Sequence, residues 1–83
     1  MKLNVRGRKK NLEKLRKKLR DLLGENIISV ELIDGWDGSN VRIVVKEASM
    51  EVVRKVVEAI KEVEEEIGEP GTFIPDVVEE HEL

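Results

Sequence analysis

The residues that could do chemistry in this chain are few, and their spacing decides against most of them. The single histidine lies in Glu79-Glu80-His81-Glu82. Imidazole and carboxylates ligate zinc, but four successive residues do not converge on one ion without a scaffold, so a solvated acidic tail is the preferred reading. A histidine placed there also leaves Ser29, Ser39 and Ser49 without a base, which argues against a hydrolase triad. Asp34, Asp37 and Asn40 supply oxygens, and a calcium loop needs them at positions 1, 3 and 5 with a glutamate at 12. Counted from Asp34, the third position is Trp36 and the twelfth Val45, so the pattern fails and a hairpin loop is preferred. Gly35 and Gly38 lack the spacing and the following Lys-Ser/Thr of a phosphate cradle. There is no cysteine, which removes thiol chemistry, zinc–thiolate sites and iron–sulfur clusters. The expectation is a chain with no catalytic residue, no metal and no cofactor.

Charge is the stronger signal. Residues 1–24 hold ten basic and two acidic side chains, whereas residues 25–83 hold five basic and sixteen acidic ones. Such a split makes a basic patch for a polyanion, or it pairs two halves of one fold.

The elements that must carry these groups follow from periodicity. Lys2-Leu3-Asn4-Val5-Arg6 alternates polar and apolar and reads as a short strand ended by Gly7. Leu12, Leu15, Leu19, Leu22 and Leu23 recur at three and four, which predicts a helix over 12–23, with Asn11 as N-cap and Gly24 beyond its end. Ile28, Val30 and Leu32 mark a second strand, and Val41, Ile43 and Val45 a third. Residues 34–40 form the turn-rich loop between them. Ser49 caps a helix through Ile67 with the stripe Val53, Val56, Val57, Ile60, Val63 and Ile67, widened by Val52 and Ala59, and Gly68 and Pro70 stop it. Residues 72–74 and 77–78 predict a last strand that Pro75 confines to a sheet edge, and residues 79–83 a frayed acidic tail.

The order βαββαβ over residues 1–83 resembles the ferredoxin-like α+β domains. That resemblance implies one domain with a four-stranded antiparallel sheet, order 4-1-3-2, and both helices on one face. On such a sheet the basic flank of the first helix lies near Glu58, Glu62 and Glu66 of the second, an internal charge match. The open face would show Lys2, Asn4, Arg6, Ser29, Glu31, Ile33, Arg42, Val44, Lys46 and Thr72. RNA-recognition modules of this topology stack bases on aromatics there. These positions hold no aromatic, and Val-Arg-Ile-Val-Val-Lys does not match the RNP1 pattern. Only phosphate electrostatics remain, through Lys2, Arg6, Arg8, Lys9, Lys10, Arg42 and Lys46. The apolar members Ile27, Ile33, Val44, Ile74 and Val78 would instead serve face-to-face homodimerisation. Trp36 is expected to fold back as a lid over the core.

Composition adds a second resemblance. Charged residues make up 40 % of the chain and aromatics 2 %, tyrosine and glutamine are absent, and the apolar positions are nearly all Val, Ile and Leu. Hyperthermophile proteins and computationally designed or redesigned mini-proteins both have this style. The latter resemblance implies a thermostable, non-enzymatic scaffold that needs no ligand or partner. The alternatives are a small thermophile domain binding RNA or DNA through its basic segment, or a homodimeric interaction module. No apolar run is long enough to span a bilayer, and no signal-type stretch follows the basic start. A soluble, cytoplasmic chain is expected.

Overall fold

A computed structural model describes the backbone of residues 5–83 and the side chains from Lys10 onward. Two helices pack on one face of a three-stranded mixed sheet. The order is α1 (Val5–Leu23), a 3-10 turn (Gly24–Asn26), β1 (Ile27–Leu32), β2 (Val41–Val45), α2 (Met50–Ile67), β3 (Pro75–Glu79) and a 3-10 turn (Glu80–Glu82).

The sheet runs β1-β2-β3, with β1 antiparallel and β3 parallel to β2. The expected four-stranded antiparallel sheet of order 4-1-3-2 is therefore not formed. Its first strand was placed on residues 2–6. Residues 5 and 6 are helical, and residues 1–4 lie outside the described part. The physical reason is cooperativity: a helix nucleated by the leucine stripe adds each further residue at little cost, and arginine, lysine and asparagine accept it. Gly7 and Asn11, expected as a strand end and an N-cap, thus sit inside α1. In the antiparallel plan a first strand would lie between β2 and β3. Without it, the β2-α2-β3 crossover brings two parallel strands into direct contact, the usual result of such a unit.

The core is aliphatic. Leu12, Leu15 and Leu19 of α1 meet Val56, Ala59, Ile60 and Val63 of α2 over Val30, Val41, Ile43 and Val45, with Phe73 closing one side. Each fully buried aliphatic side chain contributes about 1.5–3 kcal/mol through water exclusion. The stripe of α2 is narrower than its sequence promised. Val52 packs on the core, but Val53 and Val57 are 43 % and 55 % exposed.

Ser49 caps α2 by accepting a hydrogen bond from Val52 N at 3.2 Å, and Gly68 ends it at φ 71°. A left-handed residue there lets the Gly68 N–H reach back to the last carbonyls, which glycine does without a Cβ penalty. One irregularity re-aims β1. A β-bulge between Ile27 and Ser29 turns Ile27 toward the core with Val30 and Leu32, and leaves Ile28 41 % exposed rather than facing the helices.

Two asparagines tie the sheet together at opposite ends of β2. Asn26 pairs with the backbone of Glu47, donating to its O and accepting from its N, both at 3.0 Å. Asn40 accepts from Ile74 N at 2.8 Å and donates to Thr72 O at 2.7 Å. Its own N–H donates to Ile74 O at 3.0 Å. The side-chain amide acts as an extra peptide unit that sets the start of β3 against β2.

Candidate functional site

The basic face of α1 is divided between two neighbours. Toward α2, Lys14 Nζ lies 3.5 Å from Glu66 Oε1, and Lys18 Nζ lies 3.4 Å from Glu62 Oε2. The pairs step by four in opposite senses along the two helices, so the helices are antiparallel and share a charge ladder. Two of the three carboxylates expected on that flank of α2 are thus used; Glu58 makes no ion pair among the described residues.

Of the seven residues expected to bind nucleic acid, the side chains of Lys10, Arg42 and Lys46 are described. Lys2 lies outside the described residues. Arg6, Arg8 and Lys9 fall in the first turns of α1, where only the backbone is described. Lys10 is exposed on α1, on the helix side of the sheet. Arg42 alternates with the core residues Val41 and Ile43, so it lies on the opposite face, where Nε sits 3.4 Å from Asp76 Oδ2 of β3. Lys46 follows β2 and is exposed. On that outer face Val44 is only 1 % exposed. It sits in register with Ser29 and Val78, and a face-to-face partner would find little of it.

The hairpin loop is built from its own polar groups. Gly35 N–H donates to Ser39 O at 2.9 Å, and Gly38 N–H donates to Gly35 O at 3.0 Å. Asp37 Oδ1 accepts from the Ser39 hydroxyl at 2.7 Å and from Ser39 N at 3.1 Å. The hydroxyl bond, with the backbone one behind it, holds the Asp37 carboxyl below the usual aspartate range. A Cβ on Gly35 would collide with Ser39 Oγ and stand 2.8 Å from Asp37 Oδ1 and 2.9 Å from Ser39 O, so only glycine fits there. Trp36, expected as a lid, is fully exposed at the loop tip.

The acidic end is organised as a turn. Glu79 completes β3, its Oε1 accepts from Ala48 N at 3.0 Å, and Glu82 Oε1 accepts from Glu79 N at 3.1 Å in a reciprocal cap. His81 Nδ1 lies 3.1 Å from Glu79 Oε2. Among the described residues no three His, Cys, Asp or Glu side chains gather in a way that would hold a metal ion. No helix among them is long and apolar enough to cross a membrane.

The feature that sequence reading missed is a groove between α1 and the free edge of β1. Its larger part, about 510 Å³, is lined by Glu13, Arg16, Lys17, Arg20 and Asp21 of α1 and by residues 27–31. A second part of about 340 Å³ lies between Lys10, Leu12, Glu13, Arg16 and Leu32. Arg16 separates the two. Its Nε donates to Val30 O at 3.0 Å, and its guanidinium pairs with Glu13. The available signal was the spacing of four that sets Arg16 with Arg20 and Lys14 with Lys18; which pair faced the strand depended on the bulge and the missing fourth strand. Comparison of the chain with protein-family models, with curated proteins and with solved structures yields no match.

Proposed function

We propose that this chain is a stable, non-enzymatic scaffold-type domain of designed or computationally redesigned origin. The observation that carries this reading is the ladder between α1 and α2. The basic stripe of α1 was the strongest pointer to a polyanion partner, and its Lys14 and Lys18 are matched by Glu66 and Glu62 of the same chain. Arg42 is likewise matched by Asp76.

Two measurements test the reading together. Thermal unfolding followed by circular dichroism is expected to give a Tm above ~60 °C, beyond ordinary mesophile behaviour. Titration of labelled single-stranded RNA and duplex DNA is expected to show no binding at physiological salt. Melting below that temperature would overturn the scaffold reading. Saturable binding that weakens log-linearly with salt and drops on Lys10→Ala would replace it with nucleic-acid recognition.

A further inference from the structure

Among the described residues β1 pairs only with β2, which leaves its other side a free edge. Backbone groups along a strand alternate sides, and Ile33 N–H fixes the parity by donating to Asn40 O at 3.0 Å across the hairpin. Glu31 then faces β2, and Val30 and Leu32 turn their N–H and C=O groups outward. The bond from Arg16 Nε to Val30 O, arriving from α1, has the same direction. The groove described above runs along this edge.

We propose that the groove takes an extended acidic peptide, which adds to the sheet as a strand beside β1. The backbone is the first reason. A free strand edge offers donors and acceptors alternately at a repeat of about 3.3 Å per residue, and another polypeptide matches both. The phosphates of a nucleic acid only accept, so they leave the Val30 and Leu32 carbonyls unmatched. Added strands of this kind gain affinity from the main chain and specificity from alternate side chains.

Charge is the second reason. Lys14 and Lys18 are held by α2, but Lys10, Lys17 and Arg20 are exposed and make no ion pair among the described residues. Lys17 and Arg20 stand over the larger part of the groove and Lys10 over the smaller. Carboxylates on alternate peptide residues would therefore meet a cation on either side of Arg16. Of the acidic groups lining the groove, Glu13 is paired with Arg16, while Asp21 and Glu31 keep their charge, Glu31 being bonded only to the neutral Ser29 hydroxyl. The cations Lys10, Lys17 and Arg20 therefore outnumber the unpaired acids by one.

The alternative occupant, a second copy, fits poorly at both edges. Two β1 strands paired with each other would bring the two basic α1 flanks together. A β1–β3 contact would meet Pro75, which has no N–H, and Glu79, whose N–H is held by Glu82. Arg16 is then the movable part. When its guanidinium leaves Val30 O, that carbonyl is open to a peptide N–H and the two halves of the groove join.

The test uses the full chain, isotope-labelled, and a capped eight-residue peptide alternating valine and glutamate. Saturable binding is expected, with amide shifts concentrated on residues 28–32 and slowed hydrogen exchange at Val30 and Leu32. Lys17→Glu/Arg20→Glu is expected to weaken it by about tenfold or more. Both sites are exposed, so the variant should fold, and the shift map of the unaltered chain decides independently if it does not. A peptide with lysine in place of glutamate is expected not to bind. Absence of binding, equal binding of the lysine peptide, shifts centred on β3 or the outer face, or equal displacement by single-stranded RNA would each overturn the proposal. So would a dimer that forms through β1 without peptide.

Discussion

At β3 the free edge of the sheet is blunted by a proline and a capped N–H, whereas at β1 it is covered by one long side chain. Ile74 faces β2 through its bonds to Asn40, so alternation puts Pro75, Val77 and Glu79 on the outer side of β3. Proline has no N–H to offer, and Glu79 N–H is taken by Glu82 Oε1. Only the Val77 N–H is left of the three. At β1 a single bond from Arg16 shields Val30 O, and the arginine side chain is 41 % exposed. Exposed strand edges invite pairing and proteins blunt them. A covalent device such as proline is permanent, while an arginine that can swing aside makes an edge conditional.

The largest way to break this contrast is to loosen β3 from β2, so that its edge is no longer defined. Asn40→Ala removes two bonds and leaves Ile74 N–H and Thr72 O without them. A loss of about 2 kcal/mol is expected, of the order of 10 °C in Tm, read by thermal unfolding. Next comes Arg16→Ala, which uncovers β1. Its expected cost is about 1 kcal/mol, and sedimentation should show mass rising with concentration as the edge becomes adhesive. Glu82→Ala sharpens the comparison from the other side. It should cost about 0.5 kcal/mol as a lost cap and produce no such rise, because Pro75 still interrupts the edge.

The smallest effect lies in the loop that ties the β1 edge to the centre of the sheet. Asp37 has a lowered carboxyl pKa in the folded chain. Its contribution is therefore present above the unfolded aspartate value of about 3.9 and is lost as pH falls through the lower folded value. Urea midpoints of the chain and of Asp37→Asn should differ slightly at neutral pH and converge in acid, once the pH has fallen below the lowered folded value.

Much of this architecture can be read where a residue type forces a conformation. Ser49 and Gly68 bound α2 because a hydroxyl and a left-handed glycine satisfy helix ends. Pro75 places the last strand at an edge because it cannot donate. The turn-rich run before Asn40 makes the hairpin. What could not be read depends on competition between whole elements. Five alternating residues at 2–6 fit a strand, but an adjoining helix with five leucines extends through Val5 and Arg6. With that strand gone, the sheet order and the parallel pairing of β3 changed together. The bulge at Ile28 was hidden because Ile27 and Ile28 are both apolar, so either could fill the core position. Trp36 was misjudged for a different reason: a ring's size says what it would gain by burial, not whether a surface is within reach. The basic side chains of α1 were visible from the start. Their division into a flank held by α2 and a flank over the groove was not, because it rests on which side the sheet lies.

The clasp of Asn40 on Thr72 and Ile74 joins residues 32 and 34 positions apart, and this bears on the order of folding. Closing a loop of that length costs about 3 kcal/mol in chain entropy, and α2 must be laid down before its far end can return. The β1–β2 hairpin needs no such wait, since its loop is short. Formation of β3 therefore falls late, after the main barrier, so substitutions at Asn40 should speed unfolding far more than they slow folding. Of the two edge strands, β3 is therefore the last to join the sheet and the first to leave it.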